Sequence, residues 1–350
     1  MGAQTRSTSS RPGQDGHAQR PPTRKTHRTA ILIAACRRAY PVGKGIARRK
    51  GGSLSGRTAR RRVTRITLPG DGRAGGRAPR ADFLAGEEPL GIRVDGTALT
   101  MTMRTPGDDL ELAAGFLVGE AVIRSPADIA EIKLCDGTSC GHADHHGTDH
   151  HGAGHHGADH DGMGNIADVT LAPGVTVTPG ARRNFLTTSA CGICGKTSIE
   201  DICVLPHAPL AADPARFAPD MLAGLPDRLR DAQRVFSRTG GLHAAGLFTA
   251  GGELIAVRED VGRHNAVDKV VGWALLADRL PLAGCVLLVS GRASFELVQK
   301  AVLAGIPLLA AVSAPSSLAV DLAEEAGLTL VGFLRGPSMN VYTGAHRLSA

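Results

Sequence analysis

Cys285-Val-Leu-Leu-Val-Ser-Gly-Arg-Ala-Ser-Phe-Glu-Leu-Val-Gln-Lys-Ala-Val-Leu-Ala-Gly-Ile-Pro-Leu-Leu-Ala-Ala-Val312 sets two short, wholly apolar runs on either side of an amphipathic segment. The runs Cys285–Val289 and Leu308–Val312 are too short for buried helices. Ser294–Ala304 has helical spacing and begins on a hydroxyl that can cap it. Strands apolar on both faces belong in a sheet covered by helices on both sides. The alternation continues with a helix over Ser316–Ala326 and a strand over Thr329–Phe333. It begins upstream with a hairpin, Ala244–Phe248 and Leu254–Val257 around Gly251-Gly252, and a helix over His264–Leu280. Residues 186–350 are therefore expected to form a three-layer α/β domain with a mostly parallel sheet.

Upstream of this lies a different pattern. Pro89–Val94 and Thr97–Arg104 flank Asp95-Gly96, a strong hairpin signal. Thr105-Pro-Gly-Asp108 then opens a helix, with Asp108 as its expected N-cap. Glu131–Cys135 and Ile166–Leu171 read as two further strands, so residues 66–185 are expected to form a smaller α+β domain. Between those strands, residues 140–160 hold eight histidines in Gly-Ala-Asp-His repeats. Such residues can bind zinc, nickel or copper, but glycine-spaced repeats fix no single tetrahedral geometry. The expectation is a polar loop with no metal site.

Aromatic residues are only 3% of the chain, so its core rests on Ala, Val, Leu and Ile. The net charge of +7 is unevenly spread: residues 1–65 hold 17 lysines and arginines against one acid, Asp15. That segment carries +16 and the remainder −9. A nucleic-acid-binding body would be basic on the fold itself, so none is expected. The tail, rich in Arg, Ser, Gly and Pro, reads as a disordered extension. Its one apolar run, Ala30–Cys36, is too short to span a bilayer, and the expected location is the cytoplasm.

Seven cysteines, an odd number, do not suggest a disulfide framework. Cys203 and Cys285 lie in apolar runs and read as core residues. Cys191-Gly-Ile-Cys194 differs: two thiols three apart, between glycines, with Lys196 two residues on. A lysine and nearby backbone N–H groups would favour the thiolate, the form that attacks sulfur. Alone, the pair admits half of a zinc site, a redox dithiol or a sulfur carrier. No second zinc-spaced pair follows it, and the strand–CxxC–helix setting of thioredoxins is absent.

A second group, Arg258-Glu-Asp-Val-Gly-Arg-His-Asn-Ala-Val-Asp-Lys269, packs seven ionisable residues into twelve at a strand-to-helix junction. It suits a phosphate or pterin-like ligand or a protein partner, with His264 able to act as an acid or base. Three loops after successive parallel strands form a third group: Ser290–Ser294, Ser313–Ser317 and Phe333–Ser338. Ligands of open α/β sheets bind beyond the carboxyl ends of the strands. There Arg292 and Arg335 are the expected phosphate contacts.

Together these stretches resemble the FdhD family of formate dehydrogenase accessory sulfurtransferases. The resemblance rests on Met103–Asp109, Cys191–Lys196, Thr239–His243, Glu259–Lys269, Ser290–Glu296 and Phe333–Gly336, in family order over about residues 85–345. It implies a larger domain similar to the cytidine deaminase fold, a dimer, and sulfur accepted from a cysteine desulfurase. The recipient it implies is the molybdenum cofactor in its bis-guanine-dinucleotide form, before that cofactor enters formate dehydrogenase. By the same resemblance Cys191 carries the persulfide and Cys194 assists. The guanine nucleotide then lies near Phe333, Leu334, Arg335, Gly336, Pro337 and Ser338. The chain lacks the deaminase zinc residues, so deamination is not implied. Two other readings predict different outcomes. A non-catalytic chaperone of the cofactor or apo-enzyme would tolerate loss of Cys191. A dithiol oxidoreductase would lose activity equally with either cysteine.

Overall fold

A computed structural model describes residues 56–70, 74–135, 164–177 and 210–349. Most of the N-terminal extension, the histidine-rich insert, the Asn184–Lys196 stretch with Cys191 and Cys194, and Cys203 lie outside the described residues. The described residues open with β1 (Thr58–Thr67) and β2 (Gly76–Ala85), an antiparallel two-stranded ribbon that joins no other sheet among the described residues. Much of β1 falls in the segment expected to be disordered. Its arginine-rich sequence hides it, because a strand exposed on both faces shows no alternation of apolar residues.

Next come β3 (Glu88–Val94), β4 (Thr97–Arg104), α1 (Asp109–Gly119), β5 (Ile129–Cys135) and β6 (Ile166–Leu171). The strands form a four-stranded sheet in the order β4-β3-β6-β5. Asp95 and Gly96 both take left-handed φ, 48° and 76°, as the tight β3–β4 turn requires. Asp108 occupies the N-cap position of α1 but makes no capping bond with its side chain. Its carboxylate instead pairs with Arg57 at 2.8 Å, which anchors the base of the ribbon.

The C-terminal part contains short helices α2 (Pro219–Ala223), α3 (Leu225–Ala232) and α4 (Phe236–Thr239), then β7 (His243–Phe248) and β8 (Leu254–Asp260). It continues with α5 (Arg263–Leu276), β9 (Val286–Val289), α6 (Phe295–Leu303) and β10 (Leu308–Ala311). It ends with α7 (Ser317–Glu325), β11 (Thr329–Arg335) and β12 (Ser338–Thr343). Six strands form one sheet in the order β12-β11-β10-β9-β7-β8. Only β9–β10 and β10–β11 pair in parallel, so the sheet is mixed, not mostly parallel. The cause is local. Tight turns at Gly251-Gly252 and Gly336-Pro337 add a hairpin at each edge, and a turn that short permits only antiparallel pairing.

Alternation along the central strands divides the core in two. Leu287, Val289, Leu309 and Leu330 face one apolar cluster with α5, α6 and α7. Val286, Leu288, Leu308 and Val331 face the other, with Leu222, Leu225 and Leu229 of α2 and α3. The first cluster also takes in Leu90, Ile92 and Val169 of the four-stranded sheet and Leu112 and Leu117 of α1. One continuous core therefore runs through both halves of the chain. Its tightest point is the crossing of α1 over α5. A Cβ on Gly115 would lie 1.8 Å from the Asp268 carbonyl oxygen, and one on Gly272 would lie 1.8 Å from that of Glu111. Two glycines let these backbones touch. No helix among the described residues is long and apolar enough to cross a membrane.

Candidate functional site

Beyond the carboxyl ends of β9, β10 and β11 the three loops run side by side, held by backbone hydrogen bonds. Ser313 N donates to Gly291 O at 3.3 Å, and Ala293 N to Ala314 O at 3.2 Å. Ser316 N donates to Ala293 O at 3.0 Å, and Phe333 N to Ser313 O at 3.1 Å. The result is a continuous ledge about 10 Å long, two strand spacings, between the first loop and the third.

The third loop forms the far end of the ledge. Strand β11 runs on through Arg335, so what reads as a loop in sequence is the tip of a β-hairpin turning at Gly336. Phe333 has a left-handed φ of 51°, an unfavourable conformation for a bulky residue, and the residue is 38% exposed. Strained residues of this kind gather at ligand sites. Arg335 donates from Nε to Val312 O at 2.8 Å, and its guanidinium lies 5.8 Å from the Phe333 ring centroid. Gly336, Pro337 and Ser338 are exposed. Leu334 is an exception among the six expected contacts: it is fully buried in the second core with Val331 and Leu308.

At the near end, His264 sits in the first turn of α5. Its Nε2 lies 2.8 Å from Glu296 Oε2 and 3.3 Å from Ser294 Oγ. Ser294 caps α6 by position but makes no capping bond with its hydroxyl, whereas the Ser316 hydroxyl accepts from Ala319 N at 3.3 Å. Arg292 is exposed at the tip of the first loop. His243, at the start of β7, borders Gly291: a Cβ there would come within 3.4 Å of His243 Nδ1. Burial, reinforced by the charges of Arg263 and His264, holds the His243 imidazole below its ordinary value, while Asp260 opposes the shift.

The charged stretch Arg258–Lys269 turns out to be mostly a buried clasp. Asp260 is fully buried and pairs with Lys269 at 2.7 Å. It also accepts from the backbone of Thr105 at 3.1 Å and Gly262 at 2.9 Å, and from Asn265 Nδ2 at 2.9 Å. Lys269 and Asn265 in turn donate to the carbonyls of Thr105 and Met103, each at 2.8 Å. Arg258 donates to Glu111 at 2.9 Å, Lys300 pairs with Asp268 at 2.6 Å, and Glu259 accepts from the first N–H groups of α4. Burying this many charges requires mutual pairing. The stretch therefore locks residues 103–105 against the start of α5 and leaves only Arg263 and His264 at the ledge.

Arg104 was not singled out from sequence, yet it is fully buried, bound to Asp109 at 2.9 Å, Glu88 at 3.1 Å and Asn165 at 3.2 Å. Its signals in sequence were the adjacent acids Asp108 and Asp109 and its place in the Met103–Asp109 stretch. Cys285 is half-buried, and burial pushes its thiol up, as expected of a residue packed against the core.

The model of the FdhD/NarQ family matches residues 85–349, the span that contains both halves of the clasp, the ledge and the Cys191–Cys194 pair. This chain belongs to the FdhD/NarQ family. A sulfur carrier protein FdhD of Nocardia farcinica is 55% identical over 296 residues, 84% of this chain and 96% of that protein. A protein of the same name from Streptomyces coelicolor is 56% identical over 294 residues, 83% of this chain and 96% of that one. A crystal structure assigned as a formate dehydrogenase accessory protein from Desulfotalea psychrophila aligns with TM-score 0.59 at 23% identity. It covers 83% of this chain and 99% of that one, and shows a shared fold.

Proposed function

We propose that this FdhD/NarQ chain is a sulfur carrier serving formate dehydrogenase in the cytoplasm, as a homodimer. The observation that carries the reading is high identity to two sulfur carrier proteins over more than four-fifths of the chain. The family match includes both cysteines of the CxxC pair. In the proposed reaction the Cys191 thiolate attacks the outer sulfur of a cysteine desulfurase persulfide. The S–S bond of the donor breaks, its cysteine leaves as a thiolate, and Cys191 becomes the persulfide. Cys194 assists the later release of that sulfur.

The recipient is the molybdenum cofactor in its bis-guanine-dinucleotide form, bound as cargo. The ledge suits a phosphate-bearing, flat ligand. Arg335 is pinned by one nitrogen and keeps others for phosphate oxygens, and Arg292 is exposed nearby. Phe333 offers an aromatic face beside Arg335. His264, paired with Glu296, supplies an acid–base group at the opposite end.

The test is to incubate the protein with a cysteine desulfurase and cysteine and measure its intact mass. A gain of one sulfur atom that is lost in Cys191→Ala is expected. No gain on wild type, or a gain unchanged in Cys191→Ala, refutes the carrier role.

A further inference from the structure

The ribbon β1–β2 has no part in the ledge or the clasp, and its composition is unlike that of the rest of the fold. Between Arg57 and Ala85 the sequence holds eight arginines, two aspartates and no lysine, a net charge of +6. Residues 86–350 carry −10. The base of the ribbon is fixed to the body by the Arg57–Asp108 pair and by Arg238 stacked 4.6 Å from the Phe83 ring centroid. Beyond that base the strands project, about 33 Å long at ten residues each. Arg60, Arg61, Arg62, Arg65, Arg77 and Arg80 are all exposed, and none pairs with an acid among the described residues. Ile66 and Leu68 stand 60% and 79% exposed at the distal end.

Among the described residues no third strand pairs with the ribbon, and a two-stranded ribbon is marginal in water and offers unpaired backbone groups on its outer edges. Four kinds of occupant could cover them. A second ribbon of the same chain is opposed by like charge along the whole length. A membrane surface would meet one face. A duplex groove likewise receives one face of a ribbon. The register, however, puts arginines on both faces: Arg60, Arg62 and Arg77 on one, Arg61, Arg65 and Arg80 on the other. Successive side chains of a strand added at an edge point alternately to the two faces. Such a strand can meet both sets of arginines at once. The described residues of the body, 86–135, 164–177 and 210–349, carry −6 and oppose any long polyanion that must pass them, but not a short segment confined to the ribbon.

We propose that the β1–β2 ribbon is a docking edge for an extended, acidic segment of a partner protein, held by main-chain hydrogen bonds and by guanidinium–carboxylate pairs on both faces. The probe is a short fluorescent peptide of Glu-Glu-Val-Val repeats, which places carboxylates on both faces of a strand. Its binding to the full-length chain is followed by anisotropy. It should bind, and added salt should weaken it. Each triple substitution, Arg60→Gln with Arg62→Gln and Arg77→Gln, or Arg61→Gln with Arg65→Gln and Arg80→Gln, should weaken it about tenfold at low salt. The same peptide with proline in place of valine should fail to bind, because it lacks the ladder N–H groups.

Circular dichroism and melting curves matching wild type confirm that the triple variants fold, as substitutions at exposed sites should. Four results would each overturn the proposal: no peptide binding, an effect from only one face, equal binding of the proline peptide, or tighter binding of a short DNA duplex or of anionic vesicles. The persulfide measurement reads Cys191 alone, so the two proposals fail separately.

Discussion

Replacing Gly272 by alanine sets two effects of opposite sign against each other at the α1–α5 crossing. From sequence, glycine inside a helix is a weakness, and alanine should stabilise α5 by about 1 kcal/mol. In the structure the added Cβ would sit 1.8 Å from the Glu111 carbonyl oxygen, where an ordinary contact needs about 3.5 Å. The helices must part by more than 1 Å, and both are buried on nearly all sides. Overpacking of this depth costs about 3 kcal/mol or more. The net loss is then about 2 kcal/mol, a fall in Tm of about 4 °C for a chain of this size. Calorimetry on Gly272→Ala and Gly115→Ala should each show that fall. Their double variant should lose less than the sum, since parting the helices for one Cβ makes room for the other. Gly241→Ala is the control, since its Cβ would approach nothing closer than 3.7 Å. A Gly272→Ala protein as stable as wild type, or more so, refutes the direct backbone contact.

Three further outcomes follow from the site and the clasp. Arg335→Ala should weaken GDP binding about tenfold by calorimetry, the loss expected of one charge-assisted hydrogen bond, and unchanged binding would remove Arg335 from the ligand site. For Asp108, burial alone would raise the carboxyl, but Arg258, Arg57 and Lys269 overrule it and hold the group below its ordinary 3.8. A lowered carboxylate adds stability above its unfolded value and loses it as the pH falls through the folded value. Asp108→Asn should therefore be less stable than wild type at neutral pH, with the gap closing in acid, and a gap that does not change with pH contradicts the pairing. Because the folded pKa of His243 lies below its ordinary 6.5, its contribution is complete above 6.5 and is lost as the pH falls through the folded value. In urea titrations His243→Gln should lose less stability than wild type on going from pH 7 to below 6, and identical pH profiles would show that the ring is not held neutral.

Much of the four-stranded and six-stranded sheets was legible because their elements are local and strongly patterned. The hairpin turns at Asp95-Gly96 and Gly251-Gly252 carry their own chemistry. The apolar runs Val286–Val289 and Leu308–Ala311, each followed by an amphipathic helix, need no distant residue to be recognised. The ribbon escaped notice because exposure on both faces erases the period-2 signal. The parallel character of the sheet was overestimated because a short apolar strand reads the same whether its neighbour runs with it or against it.

Residue pattern and motif by themselves settled the family, the alternating strands and helices of the C-terminal half, and the set of loops that must meet at the strand ends. Direction of pairing, and which charges are spent in the core, belong to the tertiary structure. Arg258, Asp260, Asp268 and Lys269 look like ligand-binding residues in one dimension. They become a clasp because Glu111 and Thr105, distant in the chain, and Lys300 of the next helix arrive within hydrogen-bonding distance. Leu334 turns into the second core and Phe333 stays exposed because a strained φ at Phe333 breaks the alternation of β11. A charge has no assigned partner until the fold brings one near, and sequence spacing carries no information about contacts more than a hundred residues apart.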